Sequence, residues 1–209
     1  MYDDLTVIIC CAGMGTRLGI GTTKALVKVN GKSIIEHLLN KLTSVRDVRI
    51  VVGYQAEKVI EEVNKRRKDV MFAFNNDYKT TGVADSLRKG NIGSNKYVVY
   101  IDGDVLIDQD SINKILDYDG ECLAVKDTYS DEPVLASLDE DGNVTTFLEG
   151  RKYSWPGIAK IECKKLLAPG KNVYDVLSTY LPMKAIYVNA WEIDTQDDYE
   201  RAVRFYRFE

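Results

Sequence analysis

The residues of this chain whose types and spacing could do chemistry begin with Ala12-Gly13-Met14-Gly15-Thr16-Arg17-Leu18, followed by Lys24. The β-branched run Val7-Ile8-Ile9 reads as a buried parallel strand that empties into a loop whose glycines let backbone N–H groups close around phosphate oxygens. Arg17 and Lys24 add positive charge, so the segment reads as a triphosphate site that needs no side-chain nucleophile. Residue order excludes two commoner phosphate motifs. The dinucleotide fingerprint G-x-G-x-x-G meets Leu18 at its third glycine, and Gly19 arrives one position late. The Walker form ends in Gly-Lys-Ser/Thr, whereas Gly21-Thr22-Thr23-Lys24 has another order. The plain alternative is a glycine turn between strand and helix, with Arg17 and Lys24 merely solvated.

Acidic residues supply the complementary chemistry. Tyr97-Val98-Val99-Tyr100-Ile101 reads as a strand that discharges into Asp102-Gly103-Asp104 at its carboxyl end, where open α/β sheets bind ligands. Carboxylates there suit Mg2+, a hard cation commonly held by one or two carboxylates together with substrate phosphates. Asp194 occupies a second acidic turn, between a strand and a helix, and the two turns could converge on one ion. The structural alternatives are an ordinary turn for Asp102 and Asp104 and a helix N-cap for Asp194. A third segment, Asn75 to Leu87, follows a strand and opens a helix. It reads either as a ligand loop or as plain capping.

The elements that must position these groups alternate. Strand patterns near 5–12, 48–52, 69–74 and 97–101 are separated by helical patterns at 33–43, 55–66 and 83–91, which predicts an α/β fold with a mostly parallel sheet. Ser33 reads as the N-cap of the first helix, whose Ile34, Ile35, Leu38, Leu39 and Leu42 form a core stripe; His37 within it reads as structural. Beyond about residue 120 the segments turn to shorter strands at 121–127, 133–138, 144–149 and 157–162. A helix at 172–181, a strand at 184–189 and a helix at 196–207 follow. The short strands are expected to extend the sheet and build a small β-rich substrate lobe.

With 209 residues and 45% apolar content, one sizeable core is expected, and no linker-like tract divides the chain. A net charge of −4 speaks against a nucleic-acid partner. The four cysteines form no C-x-x-C pair and there is one histidine, so neither a zinc site nor a disulfide framework is indicated. No leader or membrane-spanning run is evident, and a cytoplasmic location is expected.

The order of these motifs resembles the nucleotidyltransferases that activate sugar phosphates and phospho-alcohols. Their opening pattern is A-G-x-G-[ST]-R-[LF], then a lysine, then a Gly-Lys/Thr-Pro/Ser turn; this chain supplies Ala12 to Leu18, Lys24 and Gly31-Lys32-Ser33. The proline that often precedes the lysine is missing. The resemblance spans essentially the whole chain and is nearest to the bacterial phosphocholine cytidylyltransferase type, through Asp102-Gly103-Asp104-Val105 and Asp131-Glu132-Pro133-Val134. It implies a Rossmann-like mixed sheet flanked by helices, of the nucleotide-diphospho-sugar transferase type. It also implies a single domain over 1–209, with a nucleotide-binding part to about 118 and an acceptor-binding part beyond it.

The same resemblance assigns roles. Arg17 and Lys24 are the catalytic cations. Ala12, Gly13, Met14, Gly15, Thr16 and Asp102 bind the nucleotide, with Gly82 and Ser86 against the base. Asp104 and Asp194 hold Mg2+. Glu149, Trp155 and Trp191 contribute to the acceptor pocket. Tyr129, Tyr153, Trp155 and Trp191, beside Asp127, Glu132 and Glu149, could enclose an ammonium group over aromatic faces, or could simply pack. The implied reaction joins an NTP, with CTP preferred, to a small phosphate or phosphonate such as phosphocholine, releasing pyrophosphate. The partners would be small molecules, with no nucleic acid, no membrane and a homodimer as one open assembly. A sugar-1-phosphate uridylyl- or thymidylyltransferase and a catalytically silent nucleotide-binding regulator are the rivals.

Overall fold

The computed structural model describes residues 2–15, 19, 21–129 and 133–206. Its centre is the strand β1 (Tyr2–Cys11), parallel to β4 (Val45–Val52) on one side and to β6 (Tyr97–Asp102) on the other. β5 (Met71–Phe74) continues the parallel set beyond β4. Between these strands run α1 (Ile34–Lys41), α2 (Ala56–Asn64) and α3 (Val83–Gly90), and a small hairpin of β2 (Lys28–Val29) and β3 (Lys32–Ser33) precedes α1. Helices therefore cover both faces, and the chain is apolar at every position from Val7 on β1 to Ala12 just beyond it. Val7, Ile9 and Cys11 pack into the core with α1 and α2, while Ile8, Cys10 and Ala12 pack into the opposite core with α3.

The short strands of the second half extend this same sheet. β8 (Cys122–Asp127), β9 (Leu135–Leu138), β10 (Asn143–Phe147), β11 (Tyr153–Ser154), β12 (Ile158–Glu162) and β13 (Met183–Tyr187) join it through the antiparallel pair β12–β6. The resulting ten-stranded order is β11-β9-β10-β13-β8-β12-β6-β1-β4-β5. α5 (Val173–Ser178) and α6 (Gln196–Phe205) occupy the two predicted C-terminal helical segments, each shorter than the predicted span.

Of the elements that were not anticipated, two help to position the site. α4 (Gln109–Asp117) follows β6, capped by Asp108, whose Oδ1 accepts from the Ser111 N–H at 2.7 Å. Its inward stripe, Ile112, Ile115 and Leu116, was a legible signal. The other is a two-stranded ribbon of β7 (Val105–Ile107) and β14 (Ala190–Glu192), antiparallel, with Glu192 opposite Val105. Three-residue strands paired across the chain leave no periodic trace. Ser33 caps α1 as expected, accepting from Glu36 N–H at 3.3 Å. His37 is buried, with Nε2 3.0 Å from Val29 O and its ring edge-on to Tyr206, a structural role. No helix among the described residues is long and apolar enough to cross a membrane.

Candidate active site

The carboxyl ends of β1 and β6 lie side by side, Cys10 opposite Asp102, and the chain leaves both strands into one cleft of about 310 Å3. Gly103 makes the crossing possible. Its N–H donates to Cys10 O at 3.0 Å, and a Cβ there would stand 2.6 Å from that oxygen and 2.8 Å from Cys11 Sγ. Asp102 and Asp104 thus emerge from a turn pressed against β1. The loop after β1 folds back over Lys24: at Gly15, with φ of 60°, a Cβ would come within 2.9 Å of Lys24 Cγ. The left-handed backbone and the close approach together require glycine.

The β7–β14 ribbon brings the distant aspartates together. Ile193 N–H donates to Asp104 O at 3.1 Å, which sets the following Asp194 beside Asp104. The alternative reading of Asp194 as a helix cap is excluded by geometry, because Thr195 caps α6. Thr195 Oγ1 accepts from Asp198 N–H at 3.2 Å, and Asp198 Oδ2 accepts in return from Thr195 N–H at 3.0 Å. The Asp194 carboxylate turns inward instead, where Lys24 Nζ donates to its Oδ1 and, at 2.8 Å, to Asp104 Oδ2. Burial works against the lysine charge, but Asp104 and Asp194 outweigh it and hold the ammonium above the usual lysine pKa. Asp102 accepts from Tyr100 Oη. Burial, then the neighbouring Asp104 charge, pushes the Asp102 carboxyl well above the usual range.

The opposite wall comes from the 75–87 segment. Asn75, buried at the end of β5, donates from Nδ2 to Thr81 Oγ1 and Ser86 Oγ, both at 2.9 Å, which ties the loop to the first turn of α3. Gly82 at that turn lies under the backbone of Lys171, where a Cβ would sit 2.0 Å from the Lys171 carbonyl oxygen. Ala12, Gly13, Gly15, Lys24, Asn75, Gly82, Ser86, Asp102 and Asp104 all face the cleft. Met14 is 38% exposed and outside its lining. Thr16 and Arg17 lie outside the described residues, as do Asp131 and Glu132.

The expected acceptor residues do not line this cleft, and the burial of Trp155 corrects the reading of that residue as facing an acceptor. Trp155 is a core residue, stacked at 6.0 Å on Tyr100, packed against Phe147, and donating its indole N–H to Ile158 O at 2.9 Å. Trp191 turns its half-buried ring to Tyr206, 5.3 Å away at the end of α6. Glu149 is exposed after β10 and does not line the cleft. Two of the rings proposed as an ammonium enclosure already carry the chain's own lysines, with Lys126 Nζ 3.9 Å over Tyr129 and Lys152 Nζ 4.8 Å over Tyr153. Trp155→Ala is expected to cost about 3–5 kcal/mol of stability in urea unfolding. Trp155→Phe should leave the acceptor KM unchanged.

Among the described residues, no group of three or more His, Cys, Asp or Glu side chains is arranged to hold a metal ion. The Asp104–Asp194 pair is a two-carboxylate set of hard oxygens with an ammonium between them, and it fits a divalent cation that completes its shell from phosphates.

A family profile described as MobA-like NTP transferase domain matches residues 7–151. Among curated proteins, the bifunctional protein GlmU of Methanococcus maripaludis strain C5 is 33% identical over 152 residues, which are 71% of this chain and 36% of that protein. The chain therefore spans about a third of the length of this relative. Among solved structures, the CTP:phosphocholine cytidylyltransferase of Streptococcus pneumoniae superposes with a TM-score of 0.80 at 22% identity, covering 98% of this chain and 100% of that one. A putative glucose-1-phosphate thymidylyltransferase from Bacillus anthracis also gives 0.80, at 19% identity, covering 98% and 97%. Both share the fold: a mixed α/β nucleotide-diphospho-sugar transferase-like architecture.

Proposed function

The chain belongs to the MobA-like NTP transferase family, and from that membership we propose that it joins an NTP, CTP by preference, to a small phosphate-bearing acceptor and releases pyrophosphate. The observation that carries this reading is Lys24, held between Asp104 and Asp194 at the mouth of a glycine-lined cleft. An acceptor phosphate oxygen attacks the α-phosphorus. A new P–O bond forms as the bond from the α-phosphorus to the α–β bridging oxygen breaks, and the electron pair leaves with pyrophosphate.

The chain's own groups orient and neutralise. Gly13 and Gly15 line the cleft, and backbone N–H groups of this loop would bind the triphosphate oxygens. Lys24 exchanges its carboxylate partners for phosphate oxygens and balances charge building on the α-phosphoryl and leaving groups. Asp104 and Asp194 would hold Mg2+, which when bound supplies Lewis-acid polarisation of phosphoryl oxygen. Asn75, through Thr81 and Ser86, keeps the base-side wall rigid.

A second reading, a sugar-1-phosphate acceptor with UTP or dTTP, is favoured by the rings of Tyr129 and Tyr153 being covered by lysines and by the burial of Trp155, which weaken the case for a cationic headgroup. A panel of five nucleotides against amino-phosphates and sugar 1-phosphates, read as pyrophosphate release in Mg2+, tests both. Turnover of CTP with an amino-phosphate is the expected result. Turnover confined to sugar 1-phosphates transfers the chain to the second reading, and nucleotide binding with no turnover on any acceptor contradicts both.

A further inference from the structure

Beneath the two aspartates lies a charge pair that the proposed reaction does not use. Lys126 sits on β8 on the same face as Cys122 and Ala124, which belong to the core under α1, α4 and α6, and its side chain is 1% exposed. A lone ammonium in that position would be very costly. Its Nζ lies 3.0 Å from Glu192 Oε2, and neither atom makes a well-directed hydrogen bond. The face of Tyr129 closes over the ammonium at 3.9 Å, and the Tyr129 hydroxyl is fastened to Ala190 O at 2.8 Å. Lys126 thus touches β14 twice, directly at Glu192 and through Tyr129 at Ala190.

That strand carries Asp194 into the site. Along β14 successive side chains alternate, so that Trp191 packs on Tyr206 while Glu192 points the other way, toward Lys126. Glu192 also feels the charges of Asp104 and Asp194. Four carboxylates, Asp102, Asp104, Glu192 and Asp194, are therefore crowded together with two ammonium groups from this chain. Lys24 has phosphate to move to when a nucleotide arrives. Lys126, enclosed by the core and Tyr129, does not.

We propose that Lys126 and Glu192 are positioning residues: a prop whose bulk supports β14 and hence Asp194 and whose paired charges cancel, with Glu192 serving as the counter-charge of Lys126 and not as a third cation ligand. The proposal rests on the reading that Asp104 and Asp194 hold a divalent cation. It predicts a rescue. Glu192→Gln leaves the Lys126 charge uncompensated beside the aspartates and should weaken cation binding by about tenfold. Adding Lys126→Met removes that charge and should return binding to within about threefold of the unmodified protein.

The test is Mn2+ binding, followed by the electron paramagnetic resonance signal of free Mn2+, on the full chain with saturating nucleotide and no acceptor, with melting temperature recorded for each variant. The expected result is the loss in E192Q and its recovery in K126M/E192Q. Binding in the double variant as weak as in E192Q would make Glu192 a ligand and overturn the proposal. Equal binding in E192Q and the unmodified protein would also overturn it. Should E192Q not fold, the double variant decides alone, since a tenfold loss there contradicts a neutral prop. Asp104→Asn separates the two levels: if it binds Mn2+ as the unmodified protein does, the cation reading itself fails and takes this one with it.

Discussion

Lys24→Met is expected to lower turnover by about 10²- to 10³-fold, the usual consequence of removing a contact to charge that develops in the transition state. The same substitution should tighten divalent-cation binding in the absence of nucleotide by at least about tenfold. The two effects have opposite signs because Lys24 has two sets of partners. In the structure its ammonium bonds to both Asp104 and Asp194 and lies between the two carboxylates that would hold a cation. A cation entering alone must displace it toward Asp102, the other carboxylate among the described residues that line the cleft, which burial pushes toward its neutral form. When a triphosphate is present the ammonium can leave the aspartates without losing its charge pairing. The unmodified protein should therefore bind Mn2+ weakly alone and strongly with nucleotide, and Lys24→Met should erase most of that difference. Titration of Mn2+ with and without CTP, beside steady-state rates, checks both arms. A variant with normal turnover, or one that binds Mn2+ more weakly without nucleotide, contradicts the assignment.

Asp104→Asn and Asp194→Asn should each reduce kcat by about 10²-fold or more in Mg2+, and the double variant should be little worse than either alone, because groups that act as a unit are strongly non-additive. Neither substitution removes a structural contact of the backbone. The ribbon hydrogen bond uses the carbonyl of Asp104, and α6 is capped by Thr195 and Asp198. Melting temperatures should consequently move little while kcat collapses. If the effects of the two substitutions instead multiply, the aspartates do not share one ion. If stability falls and kcat survives, they are structural partners of Lys24 alone.

The site was legible where backbone geometry leaves a local trace. Gly15 must adopt a positive φ and let Lys24 approach, Gly103 must pass within touching distance of β1, and aspartates at the end of an apolar strand have little structural reason to be there. Those constraints act over a few residues, so spacing reports them. Trp155 was misread because an aromatic on a short strand looks the same in sequence whether it meets a ligand or Tyr100 and Phe147. Only the order of strands in the sheet tells the two apart. The convergence of Asp104 and Asp194 was anticipated, whereas its cause, the β7–β14 ribbon, rests on two three-residue strands with no pattern of their own. Lys126 did leave a mark, a charge in register with Cys122 and Ala124 on a strand otherwise apolar on that face. Its significance depends on Glu192, whose approach no local rule predicts.

The most direct measurement of the central claim follows the label. With CTP carrying ³²P at the α position or, in a parallel reaction, at the γ position, and an acceptor found in the substrate panel, the α-label should appear in the acceptor product and the γ-label in pyrophosphate, in equal amounts and only with a divalent cation present. Transfer of the γ-label to the acceptor, or its release as inorganic phosphate without α-label in product, would mean that this cleft attacks a different phosphorus, and nucleotidyl transfer would be the wrong account.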